Sequence, residues 1–448
     1  MKILFVENKY KTIFYKELSN ELETSDYESY FLIQNKVFST GKKEYFVDST
    51  FLPEMETPEL NALFLKCLAK VSKSDRNLNY FGGNSKHYKA YFYNIYKAID
   101  EINPDVVFGE STLFHELIVI FICGNKGIRY LHPCACRIPS QRFSFYIGDS
   151  LIPYLGGGEA PTDEFCTDIV DSFGYRKKTL DYMLTPSFIE GIYKKGRLIK
   201  NWLVGIYSRL IGEKFNTPSL LKKASLQRNL QKHIKIWESF AQPHVSGSKK
   251  KVLYPLHMQP ECNVDVWSVE YRDQVKTILD ISKILPENWE LIVKPNPKSK
   301  YEMNLDLINA CSTLRNVTLL NHAVKMKEIT DVIDLFITAS GTVAYECYLT
   351  NKPCLSLALP FFEENSKERH LSSLNWDEIF SKYLQQSEVS VSVPKSLISY
   401  LLLSSYSGVI SDPISTPSCI HKENLQIVAK SFESVLNHIK KEKEKGNG

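Results

Sequence analysis

The sequence predicts an α/β protein with two Rossmann-like domains that face each other across a central cleft. The chain has 448 residues, whereas a single hydrophobic core stops growing at about 250–300 residues. Short apolar runs that end in turn residues alternate with helical patterns in both halves of the chain. Repeated alternation of this kind is typical of a parallel sheet covered by helices on both faces.

The first half begins with an apolar run at residues 2–6, closed by Glu7 and Asn8. A short continuous apolar run predicts a buried parallel strand. Farther along, a strand, a helix and a second strand are predicted at residues 104–110, 113–123 and 127–131. Together these three elements form a β-α-β unit.

The second half predicts five strands with helices between them. The strands are expected at residues 252–256, 289–293, 317–320, 335–338 and 353–359. The helices are expected at residues 271–285, 305–311, 326–333 and from Gly341 onward. A final helix at residues 425–439 is expected to return to the first domain.

The two domains are separated where the pattern changes. Residues 150–242 have the pattern of long helical segments, and the polar, turn-rich residues 242–250 predict a linker. The sequence therefore predicts an N-terminal domain with a helical insertion at residues 1–245, a C-terminal domain at residues 250–420, and a C-terminal helix with a basic tail at residues 421–448.

The composition excludes several classes of protein. A net charge of +4, from 55 basic and 51 acidic residues, gives no reason to expect a nucleic-acid partner. The ten cysteines lack a repeated C-x-x-C spacing, which predicts reduced thiols in the cytosol and no metal site. The longest apolar run, residues 117–123, is far shorter than the roughly 20 residues that cross a bilayer.

Candidate binding residues follow the predicted strand at residues 335–338. In an open parallel sheet, ligands bind beyond the carboxyl ends of the strands. Ser340, Gly341 and Thr342 begin a helix there, and a helix N-terminus attracts phosphate. Glu346 lies one turn farther along, where its carboxylate could accept the ribose hydroxyls of a nucleotide. The structural alternative is an N-cap formed by Ser340 or Thr342, with Glu346 as an exposed carboxylate.

A second candidate segment follows the first strand of the C-terminal domain. His257, Gln259 and Glu261 alternate along a loop with two prolines, so in an extended chain their side chains would project to one side. An imidazole, an amide and a carboxylate placed together could bind phosphate and position a sugar, with His257 and Glu261 as the catalytic candidates. The alternative is a rigid turn whose polar groups only satisfy the backbone.

Three motifs stand in order along the C-terminal domain. They are the Pro-Leu-His-x-Gln-Pro-Glu loop of residues 255–261, the Val-Lys-x-x-Pro loop of residues 293–297, and the Ser-Gly-Thr-x-x-x-Glu helix start of residues 340–346. This combination resembles the bacterial capsule and surface-polysaccharide biosynthesis proteins that include Kdo transferases. The resemblance covers residues 250–360 and implies the GT-B arrangement of two Rossmann-like domains.

One residue departs from the pattern of that family. Asn296 precedes Pro297 where relatives commonly carry a histidine, so an amide replaces the imidazole. Lys294 keeps its positive charge. Together with Asn296 it could still bind phosphate or an acidic sugar.

The first domain contributes three further candidates, all of which follow predicted strands. Glu110 could act as the base that activates an acceptor hydroxyl, or as a carboxylate nucleophile in a retaining reaction. Its alternative is an N-cap or a first-turn acid of the next helix. Arg137 and Arg142 could bind the carboxylate of a donor or an acceptor, because guanidinium groups suit bidentate recognition.

The resemblance implies a glycosyltransferase that moves a sugar from a nucleotide-sugar donor, such as a CMP-linked acidic sugar, to a surface polysaccharide or a lipid-linked glycan in the cytoplasm. Neither a cofactor nor a metal is expected, because the helix dipole and basic side chains would neutralise the leaving group. Two alternatives stay open. They are a nucleotide-sugar epimerase or hydrolase of similar fold, and a non-catalytic polysaccharide assembly protein.

Residues 194–214 predict an amphipathic basic helix, with Leu198, Trp202, Ile206 and Leu210 recurring every fourth position among lysines and arginines. Such a helix could rest on anionic headgroups at the inner face of the cell membrane and bring the site to a lipid-linked glycan. The alternative, more common for amphipathic helices, is an apolar stripe packed into the first domain.

Overall fold

A computed structural model describes residues 1–23, 26–174, 203–211, 213–358 and 392–446. The chain divides into two compact units, each built around one β-sheet. The first unit comprises Met1–Ala160, Tyr182–Pro218 and Tyr400–Gly448, and the second comprises Pro161–Asp181 and Ser219–Ser399. The predicted α/β class with two Rossmann-like domains is confirmed. The cleft between them stays a prediction.

The first sheet has seven strands: β1 Lys2–Val6, β2 Glu28–Ile33, β3 Lys43–Phe46, β4 Val106–Phe108, β5 Arg129–Ala135, β6 Arg142–Ile147 and β12 Tyr406–Ser407. Their order is β12-β6-β5-β4-β1-β2-β3. The strands from β5 to β3 run parallel, whereas β6 is antiparallel to both of its neighbours. The chain passes from β1 to β2 on one side and later to β4 on the other. Ligands of open α/β sheets bind at such a reversal of strand order.

Among the described residues, five long helices accompany this sheet, namely Lys11–Leu22, Pro58–Ser74, Tyr88–Ile102, Phe114–Lys126 and Lys422–Gly446. The last of them contains the final helix that the sequence predicts. Its Phe432 is fully buried, and the Phe432 ring centroid lies 4.7 Å from those of Phe108 and Phe145 on the sheet. The C-terminal helix therefore belongs to the core of the first unit, as predicted.

The second sheet has five parallel strands in the order β11-β10-β7-β8-β9. They are β7 Lys250–Pro255, β8 Trp289–Lys294, β9 Val317–Leu319, β10 Leu335–Thr338 and β11 Cys354–Ser356. The accompanying helices are Asp163–Ile169, Leu220–Phe240, Gln274–Ile284, Leu305–Thr313, Thr342–Leu349 and Ser392–Leu403. All five strands lie where the sequence predicts them, to within a few residues.

The division into units differs from the sequence-based domains. The helix Leu220–Phe240 belongs to the second unit because Trp237 is buried in the core of that unit. Gln242, predicted to begin a linker, instead extends the edge of the second sheet, where its N–H donates to the carbonyl of Leu319 at 2.8 Å. Pairing of β12 with β6 brings the chain back to the first unit near residue 400, ahead of the predicted boundary at residue 420.

Residues 194–202 and 212 of the predicted basic helix at residues 194–214 lie outside the described residues. Residues 203–210 are helical, and Leu203, Tyr207 and Leu210 are exposed on them. A membrane contact of this helix stays a prediction. Within the described part of the chain, no helix has both the length and the apolar character needed to cross a bilayer.

Candidate functional site

Each unit places polar side chains at the carboxyl ends of its parallel strands, the edge at which open α/β sheets bind ligands. In the second unit these side chains follow β7, β8 and β10, which are neighbours in the sheet. The three sequence motifs of the C-terminal domain therefore lie at one edge. In the first unit the polar side chains follow β1 and β4, which also pair directly.

Thr338, the last residue of β10, connects the His257 loop to the next helix. Its Oγ1 lies 3.2 Å from Nε2 of His257 and accepts the N–H of Gly341 at 3.2 Å. Thr338 is fully buried and His257 is 6% exposed. The structure thus brings His257 and the predicted helix start together through one threonine hydroxyl.

The helix Thr342–Leu349 has Gly341 as its N-cap residue, which has no side chain to cap the helix. Ser340 instead donates its hydroxyl to the carbonyl of Asn263 at 2.7 Å. The alternative in which Ser340 or Thr342 is the N-cap is therefore wrong. The alternative of Glu346 as an exposed carboxylate is also wrong, because Glu346 is only 8% exposed. The binding role of Glu346 stays a prediction.

The side-chain amide of Gln259 bonds other groups of the protein, which corrects the expectation that it is available to position a sugar. Its Nε2 donates to Oδ1 of Asp265 at 2.9 Å and to the carbonyl of Arg272 at 3.0 Å. The Gln259 N–H donates to Oε2 of Glu302 at 2.9 Å. A buried amide must find partners for its donors and acceptor, and those partners lie inside the loop. Gln259 therefore shapes the loop and is not a ligand of the sugar.

Two carboxylates near this loop have different surroundings. Glu261 is half-buried, and its Oε1 accepts from Nδ2 of Asn263 at 2.8 Å. Glu302 is buried and accepts from the N–H groups of Gln259 and Lys300. Burial raises the pKa of Glu302 above its usual value. Glu302 gives no sequence signal, since a lone glutamate in a loop forms no pattern.

Lys294 and Asn296 follow β8. Lys294 is buried, and its Nζ lies 3.3 Å from the carbonyl of Pro295. The side-chain oxygen of Asn296 accepts the N–H of Lys298 at 2.8 Å, and its carbonyl accepts the N–H of Ser299 at 3.0 Å. Asn296 thus forms a local turn, and a role of its amide nitrogen in binding phosphate stays a prediction.

Glu110 lies at the carboxyl end of β4 in the first unit, where it forms an ion pair with Lys11. The hydroxyl of Tyr15 donates to the same carboxylate at 3.4 Å. Lys11 also donates to the carbonyl of Pro133 at 3.1 Å. Because β4 pairs with β1, the pair of Glu110 and Lys11 lies where the strand order of the sheet reverses.

Glu116, and not Glu110, stabilises the start of the helix Phe114–Lys126. The N-cap residue is Leu113, and the N–H groups of Thr112 and Leu113 donate to Oε2 of Glu116 at 2.9 and 2.7 Å. Burial raises the pKa of Glu116 to about 7, and the charge of Glu110 adds to this shift. The alternative role of Glu110 as a cap is therefore wrong. A glutamate at the third helical position was the sequence signal for Glu116.

We expect the substitution Glu116→Gln to reduce the pH dependence of stability. The pKa of Glu116 is about 7 in the native state, whereas an unperturbed glutamate titrates at about 4.3. Between these values the native state holds a proton that the unfolded chain has lost, so the free energy of unfolding falls as pH rises.

Denaturant unfolding at about pH 5 and about pH 8 measures this effect. Over this pH interval, the free energy of unfolding should fall more in the wild type than in Glu116→Gln. The control Glu164→Gln, at an exposed site, should behave as the wild type. An equal loss in Glu116→Gln and the wild type would contradict the prediction.

Residues 213–217 of the helical insertion complete the same edge of the first sheet. Phe215 stacks on His87 with ring centroids 3.7 Å apart. Nζ of Lys9 donates to the hydroxyl of Thr217 at 2.8 Å. None of these residues was predicted, because a segment that covers a sheet edge after a helical stretch has no periodic pattern of its own.

All three guanidinium nitrogens of Arg142 donate hydrogen bonds to other groups of the protein. Its Nε and Nη2 donate to the hydroxyl and the carbonyl of Ser405 at 2.8 and 2.9 Å. Its Nη1 donates to Glu159 at 2.7 Å and to Ser407 at 3.1 Å. These bonds hold β12 beside β6, so Arg142 is a structural residue and not the anion ligand that was predicted. Arg137 is half-buried after β5, and its role stays a prediction.

All ten cysteines are free thiols, as predicted. Within the residues that the structure describes, no three His, Cys, Asp or Glu side chains converge in a way that could hold a metal ion.

Comparison with known proteins gives only distant likenesses. No family model and no curated protein matches the chain. UDP-GlcNAc 2-epimerase from Neisseria meningitidis bound to UDP-GlcNAc is 13% identical, covering 98% of this chain and 100% of its own, with a TM-score of 0.26. The β-Kdo 2,7 transferase of Thermosulfurimonas dismutans KpsC is 9% identical over 92% and 94% of the chains, with a TM-score of 0.35. The calicheamicin glycosyltransferase CalG4 is 12% identical over 98% of each chain, with a TM-score of 0.24. Likenesses this weak carry no argument about activity.

Proposed function

We propose that this chain is a glycosyltransferase that moves a sugar from a nucleotide-sugar donor to a surface polysaccharide or a lipid-linked glycan in the cytoplasm. The observation that carries the proposal is the link from His257 through Thr338 to the Gly341 helix start. Departure of a nucleotide leaves negative charge on phosphate oxygens. A helix N-terminus beside an imidazole stabilises such charge as it develops.

The donor is assigned to the second unit. The phosphate of the donor binds at the start of the helix Thr342–Leu349, with His257 next to the leaving oxygen. Lys294 supplies positive charge from the end of β8, the strand beside β7. Glu346 accepts the ribose hydroxyls, and Glu261 positions the sugar.

The acceptor is assigned to Glu110 in the first unit. In an inverting transfer the Glu110 carboxylate takes the proton of the attacking hydroxyl. In a retaining transfer it attacks the anomeric carbon as the bond to the nucleotide phosphate breaks, and the acceptor hydroxyl then displaces the carboxylate from the sugar. Lys11, which is paired with Glu110, orients the carboxylate for either role.

Incubation with a panel of nucleotide sugars, with and without glycan acceptors, tests this function. A glycosyltransferase releases nucleotide mainly when an acceptor is present and extends that acceptor. An epimerase converts the donor to an isomer without an acceptor, and a hydrolase releases free sugar. A protein that binds glycan but turns over none of the donors would be a non-catalytic assembly protein.

Replacing Glu346 by alanine is expected to weaken nucleotide binding by about tenfold or more, because two hydrogen bonds to a charged group are lost. Calorimetric titration with CMP and UDP, and with their 2′-deoxy counterparts, measures this loss. The wild type should prefer the ribonucleotides, and Glu346→Ala should lose that preference. The control is Glu287→Ala, an exposed glutamate of the same unit. Unchanged affinity of Glu346→Ala for every nucleotide would remove Glu346 from the site.

A further inference from the structure

We propose that Gln274 is the positioning residue that fixes His257 in the site, an inference that rests on the proposed function. Gln274 is the first residue of the helix Gln274–Ile284 and is 4% exposed. Its Oε1 accepts the backbone N–H of His257 at 2.8 Å, and its Nε2 donates to the backbone carbonyl of His257 at 2.9 Å. One side-chain amide therefore pairs with both backbone groups of the proposed catalytic residue.

Gln274 replaces a strand neighbour at the point where the sheet ends. The N–H of Leu256 still bonds the carbonyl of Lys294 across the sheet at 2.8 Å, but His257 lies beyond the end of β7. A buried backbone group without a hydrogen-bond partner destabilises the fold. If the Gln274 amide were lost, the His257 backbone would have to turn toward other partners. The imidazole would then move away from Thr338.

The Gln274 amide also bonds a second residue of the loop. Nε2 of Gln274 also donates to Oε1 of Gln259 at 2.8 Å, and Gln259 in turn donates to Asp265 and Glu302. Satisfied polar networks in a buried region rigidify the structure and specify one conformation. The imidazole is thus held at its backbone by Gln274 and at its ring by Thr338.

This arrangement makes Gln274 a residue that acts through His257. Both polar atoms of its amide bond the loop, and the proposed nucleotide contacts belong to other residues. A side chain that only stabilised the fold would lower the Tm when replaced, without changing nucleotide affinity per folded molecule. A positioning residue must change that affinity.

The test compares Gln274→Met with two other variants. Methionine keeps the length of the side chain and removes its three hydrogen bonds to the loop. His257→Ala reports the loss of the imidazole itself. Asn316→Leu is the matched control. The Asn316 amide donates to the carbonyl of Ser282 and accepts the Ser282 hydroxyl. Ser282 lies on the same helix as Gln274, away from the loop.

Calorimetric titration with CMP and UDP, at a temperature where every variant is folded, gives the Kd values, and thermal unfolding gives the Tm. Gln274→Met should weaken binding by about tenfold or more, which is 1.4 kcal/mol or more, and so should His257→Ala. Asn316→Leu should lower the Tm and keep the wild-type Kd. If the wild type binds neither these two nucleotides nor any other nucleotide of the donor panel, the proposed function fails. If His257→Ala weakens binding but Gln274→Met does not, the function stands and the role of Gln274 is overturned.

A second variant covers the case in which Gln274→Met does not fold. In Gln274→Glu, a protonated carboxyl group offers one acceptor and one donor to the loop. The ionised carboxylate has no donor and repels the carbonyl of His257 and Oε1 of Gln259. Relative to the wild type, nucleotide affinity of Gln274→Glu should therefore fall as pH rises. Parallel pH dependences of the two proteins would overturn the proposal.

Discussion

Replacing His257 by alanine is expected to lower the turnover of nucleotide sugar by about 10²–10⁴-fold, the usual contribution of a positioned acid or base. The fold should survive, because the backbone N–H and carbonyl of His257 keep their bonds to Gln274 in the variant. What is lost is the imidazole, with its 3.2 Å contact to Thr338 and its interaction with the leaving phosphate.

Steady-state kinetics and thermal unfolding together check this prediction. His233→Ala is the matched control, since this second imidazole of the same unit bonds the carbonyl of Met303 through Nδ1 at 3.0 Å and should be dispensable for turnover. A His257→Ala protein that melts much earlier than the wild type, yet turns over normally per folded molecule, would show that the loop is only structural.

Several strands that the sequence predicts correctly, namely β1, β7, β8 and β10, are buried along most of their length. β1 and β7 are continuous apolar runs between turn residues, which is the pattern of a covered parallel strand. β12 could not be predicted in the same way, because it has two residues and exists through its pairing with β6. The division into compact units differs from the predicted domains for a related reason. A local sequence pattern does not indicate which of the two cores contains Trp237, or which sheet contains residues 406–407.

The location of the second-unit site could be predicted more accurately than the directions of its side chains. Parallel strands end at one edge of a sheet, so the loops after β7 and β10 had to meet. Gln259 was misassigned because an extended chain does not describe a loop in which a buried amide must find partners. Gln274 gave no sequence signal at all, since it lies 17 residues from His257 at the start of a helix and acquires its role only through packing.

Replacing Gly341 by alanine is expected to weaken nucleotide binding by about 100-fold or more, as small displacements of binding groups can. Backbone strain is not the cause, because the φ of Gly341 is −72°. The cause is space. A Cβ atom would lie 2.6 Å from Oγ1 of Thr338 and 3.3 Å from Cε1 of His257. Thr338 is fully buried, so it can yield only by turning its hydroxyl away from His257 and from the helix start.

A double-mutant cycle, read out by calorimetric titration with CMP and UDP, identifies the contact responsible for this effect. Thr338→Ala removes the oxygen that the new methyl group would meet, so Gly341→Ala should cost much less affinity in that background than in the wild type. Gly124→Ala is the control for a glycine with free space, because a Cβ atom there meets nothing within 4 Å, and it should bind as the wild type does. If Gly341→Ala keeps wild-type affinity, the phosphate is not held at this helix start. If it costs the same affinity in both backgrounds, the clash with Thr338 is not the cause, and the methyl group acts on the bound phosphate directly.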